Sequence, residues 1–152
     1  MALVGIVIGS KTDREMIEPV LEMLQELGID HELSVISGHR NPEKTQEYGL
    51  QAAERGIEVI IAAAGGAAHL PGILASWTTL PVIGVPLPTS ELKGIDALLS
   101  ISQMPAGVPV ACVGIGESGV KNAALLAAQI LSTGHAEIKE AYRKYKMELG
   151  DR

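Results

Sequence analysis

The stretch LVGIVIGSKTD, Leu3 to Asp13, decides the fold. Leu3 to Ile8 is apolar throughout, without the polar alternation of a strand that has one wet face. A continuous run of this kind predicts a strand covered on both sides. The chemistry then changes at once, to glycine, two hydroxyls, a lysine and an aspartate. Thr12 with Glu15 makes a capping box, which predicts a helix beginning near Asp13. Ile17, Val20, Leu21, Leu24 and Leu27 keep helical spacing after it. Pro19 falls inside that pattern and predicts a kink or a fresh start.

The unit of apolar run, polar loop and helical segment recurs. Further strands are predicted at His31–Ile36, Glu58–Ala63, Pro81–Pro86 and Pro109–Ile115. A second helix is expected from Pro42, a good first helical position, to Arg55. The end reads as helix twice, KNAALLAAQIL and HAEIKEAYRKYKMEL, broken at Gly134. Strand–helix alternation implies right-handed crossovers and a parallel sheet. The expected class is therefore α/β, a three-layer doubly wound sandwich with a five-stranded parallel sheet of order 2-1-3-4-5 and a C-terminal helix. No repeat, low-complexity tract or linker divides the chain, so residues 1–152 are expected to form a single catalytic domain.

Composition narrows the partners. Hydrophobic residues make up 47% of the 152, but aromatics only 3%, so the core is built from small and branched aliphatics. Charged residues are 20%, and mean hydropathy is +0.24. That points to surface buried against further copies of the chain. The net charge of −6, with few rings to stack, argues against nucleic acid. No apolar run is long enough to span a membrane, and the start goes directly into a strand rather than a leader. A cytoplasmic protein is the expectation. Cys112, the one cysteine, reads as a small core residue.

In the order 2-1-3-4-5 the chain reverses between strands 1 and 3, and ligands bind there, beyond the carboxyl ends of the strands. Three loops should meet at that point. The first carries Ser10, Lys11, Thr12 and Asp13; the second Ser37, Gly38, His39, Arg40 and Asn41; the third Gly65, Gly66, His69 and Leu70. Ser10 and Thr12 precede a helix N-terminus, which favours an anion such as phosphate. Arg40 offers a fork for phosphate or carboxylate. Asp13 suits a ribose diol. Gly65 and Gly66 let a flat ring approach the backbone. His39 and His69 exchange protons near neutral pH. The third loop, AAAGGAAHLPG from Ala62 to Gly72, sets one imidazole among side chains that offer it no partner. The small residues are expected to clear space for a ligand that His69 faces. His31 and His135 read as structural hydrogen-bonders. No Walker A pattern, GxGxxG fingerprint, metal-spaced cluster or G-x-S-x-G elbow occurs, so neither cofactor nor metal is expected.

GSKTD, SGHRNP, GGAAHLPG, GVP and QMPAGVP, in this order, resemble the N5-carboxyaminoimidazole ribonucleotide mutase family, from Val4 to about Ala141. The resemblance implies a flavodoxin-like fold and a homo-octamer. It implies an isomerase of de novo purine biosynthesis that moves a carboxylate from the exocyclic nitrogen of an aminoimidazole ribonucleotide to ring carbon 4. Carbon dioxide would be a trapped intermediate, and ATP, metal and biotin are not used. It further implies that Ser10, Asp13, Ser37 and Arg40 bind substrate, that His39 is the acid/base and that His69 is a second active-site histidine. Gln103, Met104 and Pro105 would match a loop that helps close the site at a subunit boundary. Ala at 38 and Thr at 41 are the residues expected from the family pattern, where this chain has Gly38 and Asn41. Two alternatives remain: a carboxylase that takes carbon dioxide directly, and a non-catalytic nucleotide-binding module. Arg40 and His69 favour the mutase over the first, and His39 over the second.

Overall fold

In the fourth strand a single glycine, Gly84, lets two helices close on the sheet. A Cβ there would stand 2.9 Å from Val110 Cγ1 and would overlap Ile101 Cγ2. A computed structural model describes all residues, 1–152. Its strands are β1 (Val4–Ile8), β2 (His31–Val35), β3 (Val59–Gly65), β4 (Val82–Leu87) and β5 (Ala111–Cys112). They form one parallel sheet of order β2-β1-β3-β4-β5, as expected. The helices are α1 (Glu18–Glu26), α2 (Pro42–Gln51), α3 (Leu70–Trp77), α4 (Ile95–Ser102), α5 (Glu117–Leu131) and α6 (Ala136–Gly150).

Side-chain alternation in the central strands feeds two cores. Val4, Ile6, Ile8, Val59, Ile61, Ala63, Ile83, Val85 and Leu87 join α1, α5 and α6 on one face. Val7, Ile60, Ala62, Ala64 and Val82 join α2, α3 and α4 on the other. The residues of this second face are the smaller ones, which brings α3 and α4 close to the strands. Gly5 belongs to the same pattern, because a Cβ there would overlap the Tyr48 hydroxyl. That hydroxyl donates to Glu32 at 2.9 Å, and Arg55 pairs with the same carboxylate oxygen at 2.9 Å while lying over the Tyr48 ring. Burial, then the Glu32 hydrogen bond, drives the phenol pKa well above its ordinary value. The trio ties the end of α2 to the edge strand β2.

Several boundaries differ from the sequence reading. The first helix does not begin near Asp13. Two short 3-10 turns, Lys11–Asp13 and Glu15–Ile17, come first. The cap is Ser10, whose Oγ accepts from Thr12 N at 3.3 Å, and not Thr12 with Glu15. Pro19 explains the delay: without an N–H it must lie in a first turn, so α1 starts at Glu18. The second helix ends at Gln51, not Arg55. The third strand runs two residues further than expected, to Gly65, and the fifth is only Ala111–Cys112 at the sheet edge.

His31 and His135 are structural, as read. His31 Nδ1 bonds Ile29 O at 2.9 Å. His135 Nε2 bonds both oxygens of Glu58 at 3.0 and 2.9 Å, and Glu137 lies 3.6 Å from Nδ1. The Glu58 hydrogen bond, above all, raises the His135 pKa over its ordinary 6.5. The folded chain therefore holds this proton more tightly than the unfolded chain. The resulting stability is complete below 6.5 and is lost as pH rises through the raised folded-state value. Melting of wild type against His135→Gln should differ most on the acid side and converge in alkali. A gap of constant size across pH would contradict the linkage. No helix is long and apolar enough to cross a membrane.

Candidate active site

The carboxyl ends of β1, β2 and β3 place the three loops around one cavity of about 350 Å³. At the first, Ser10 Oγ lies 2.9 Å from Thr12 Oγ1, so the two hydroxyls are tied together. Asp13 is half-buried, and burial lifts its carboxyl pKa above the ordinary 3.8 in spite of a lowering hydrogen bond at Ser10. At the second, Ser37 Oγ accepts from Arg40 N at 3.2 Å and from Arg40 Nε at 3.3 Å, which fixes the root of the guanidinium at the cavity. Asn41 caps α2, accepting from Lys44 N at 3.2 Å. At the third, Ala68 N donates to Gly65 O at 3.1 Å and closes a turn. Both Gly66 (φ 62°) and Ala68 (φ 48°) are left-handed there. For an alanine that conformation costs about 1 kcal/mol, and it delivers His69 to the head of α3.

The two active-site candidates meet. His39 Nε2 lies 2.6 Å from His69 Nδ1, with ring planes at 86°. One nitrogen donates and the other accepts, so the two imidazoles are hydrogen-bonded to each other. Gly38 lies close to α3 beside this pair. A Cβ at this position would stand 3.3 Å from Ile73 Cδ1 and 3.5 Å from Leu70 Cδ1, so the second loop rests directly on the start of α3.

Ser10, Thr12, Asp13, Ser37, Gly38, His39, Arg40, Gly65, His69 and Leu70 all line the cavity. Gly66 is not part of the lining; its role is the turn. Within one chain the Gln103–Pro105 loop does not line this cavity. Met104 lines a neighbouring hollow on the far side of Ala68 and His69, against Gly72 and Ser100. Sequence reasoning missed Met16, Ala64, Ala68 and Thr89, which also line the cavity. Thr89 was legible in principle, since it follows the carboxyl end of the fourth strand. A larger hollow of about 470 Å³ lies along α2 and the edge of β2, but it holds no histidine and none of the candidate residues of the three loops. Chemistry, not volume, selects the site. No three His, Cys, Asp or Glu side chains come together to hold a metal ion.

Comparison with known proteins agrees with this geometry. A family model described as AIR carboxylase matches residues 3–152. The chain belongs to the AIR carboxylase family. It is 54% identical over 149 residues to a Pyrococcus abyssi protein named N5-carboxyaminoimidazole ribonucleotide mutase, covering 98% of this chain and 84% of that one. It is 52% identical over 145 residues to a Pseudomonas aeruginosa protein of the same name, covering 95% and 89%. Among solved structures, Treponema denticola PurE superposes with a TM-score of 0.86 at 27% identity, covering 99% of this chain and 93% of that one. At the two positions of the second loop where the sequence reading expects other residues, Gly38 and Asn41 have local roles. Asn41 supplies the cap that Thr would supply. Gly38 leaves room that Ala would nearly fill against Ile73.

Proposed function

We propose that this chain is an N5-carboxyaminoimidazole ribonucleotide mutase, one catalytic domain working in the cytoplasm as a homo-octamer. The observation that carries the reading is the pair of imidazoles, 2.6 Å apart, at the sheet's switch point beside Arg40 and Asp13. Ser10, Thr12, Ser37 and Arg40 bind the 5′-phosphate, with the guanidinium as its fork. Asp13 accepts from the ribose hydroxyls. Gly38, Gly65 and Leu70 bound the ring, and the turn at Gly66 shapes that wall.

The chemistry conserves protons. Protonation of the carbamate nitrogen breaks the N–C bond and releases carbon dioxide. Ring carbon 4 attacks the trapped carbon dioxide, and a base then removes the hydrogen from carbon 4 to restore aromaticity. The enzyme lends one proton and recovers one, so a histidine pair ends the cycle as it began. His39 is the acid/base, and His69 holds it in orientation. Ala64, Gly65 and Ala68 wall a dry space in which carbon dioxide stays beside its acceptor, which is catalysis by proximity.

Substrate choice tests the reading. Purified protein is given freshly made N5-carboxyaminoimidazole ribonucleotide, or aminoimidazole ribonucleotide with dissolved carbon dioxide, both without ATP. Fast formation of the carbon-carboxylated product from the first alone is the expected result. Efficient conversion of the second would make the enzyme a direct carboxylase. Activity with neither would leave a nucleotide-binding module.

A further inference from the structure

The cavity contains one hydroxyl that no reading of the loops assigns. Thr89 follows β4, and its N–H donates to Leu87 O at 3.0 Å. Pro88, with its fixed φ, stands at the centre of this γ-turn. The turn sets Thr89 over Gly65 so closely that a Cβ on Gly65 would overlap Thr89 Oγ1. Gly65 is therefore bare because Thr89 occupies the place a side chain would take.

The other side-chain hydroxyls of the cavity already have partners within the chain. Ser10 and Thr12 bond each other, and Ser37 accepts twice from Arg40. Thr89 Oγ1 has no such bond within the chain, and its side chain is exposed to the cavity. Gly65 is its immediate neighbour, and Ala64 and Ala68 line the same cavity. A carboxylate moving from the exocyclic nitrogen to ring carbon 4, in the cavity that holds the histidines, would meet this wall. A carboxylate there without a donor is strongly disfavoured.

We infer that Thr89 is a substrate-binding residue whose hydroxyl donates to the migrating carboxylate; this rests on the function proposed above. A neutral donor suits the task. An arginine or lysine would hold the carbamate so firmly that its release as carbon dioxide would slow, because ground-state stabilisation raises the barrier. A hydroxyl holds the group in place and lets it go.

The test is binding by the intact protein and its Thr89→Val and Thr89→Ser variants. The probes are the carbon-carboxylated ribonucleotide and the same ribonucleotide without the carboxylate. Thr89→Val should weaken binding of the carboxylated ligand roughly tenfold or more and leave the other within about twofold. Thr89→Ser should restore it, and melting temperature should not move. Equal loss for both ligands, loss for neither, or a serine variant that behaves like valine would overturn the inference. Wild-type turnover is measured alongside. Its absence would remove the proposed reaction, while the binding comparison still decides whether the hydroxyl reads a carboxylate.

Discussion

Replacing His39 with Asn should lower turnover by about 10²- to 10⁴-fold, the usual share of a positioned acid/base. Substrate affinity should change little, because the phosphate and ribose contacts lie with Ser10, Asp13, Ser37 and Arg40. Asparagine can still bond His69 Nδ1 through its amide, so the loop keeps its seat on α3. It has no site that takes up or gives a proton near neutral pH. His39 is exposed and makes no core contact, so stability should hold within about 0.5 kcal/mol. Steady-state kinetics with a binding measurement separates the two effects. Matching losses in turnover and affinity would mean that His39 holds substrate rather than moving protons.

Gly119→Ala should produce the largest loss of stability. Gly119 is buried in the first turn of α5, and a Cβ on it would overlap the carbonyl of Gly114. Helix propensity favours alanine by about 1 kcal/mol. The clash outweighs that gain, because it is with backbone and no flexible side chain can swing aside. Relief requires α5 to lift from the sheet or the loop after β5 to move, which costs about 3 kcal/mol or more. The net loss of about 2 kcal/mol lowers the melting temperature by roughly 4–8 °C in a chain of this size. Gly114→Ala is the control. A Cβ on Gly114 meets nothing within 4 Å, so that variant should melt close to wild type. Equal melting of the two would show that the approach of Gly114 to α5 is not what requires a glycine.

The two variants probe different levels of the molecule, and the sequence makes them unequally visible. His39 stands in a loop after an apolar run, and periodicity alone places it at the switch point. Gly119 carries no sequence signal: in SGVKNAALL it looks like one more small residue of a helix start. Its requirement comes from Gly114, in the loop after β5 that folds back against the helix start. Thr89 is an intermediate case. Its position after the fourth strand is readable, but its contact with Gly65 depends on the register of β3 with β4, which pairs Gly65 with Leu87.

The sequence by itself determined the alternation of strands and helices, the parallel order, and the three loops that carry histidine, arginine, aspartate and hydroxyls. Those follow from local periodicity and from the switch-point rule, which need only neighbours along the chain. Tertiary structure decided where α1 begins, that Ser10 rather than Thr12 is the cap, and that Gly66 builds a turn instead of lining the cavity. It also decided that His39 and His69 hydrogen-bond to each other. That contact joins residues 30 apart in sequence, and it exists because one loop rests on α3 while Ala68 adopts a left-handed turn to aim the other. Close approach of two segments is set by which side chains are missing between them, and no single segment records that.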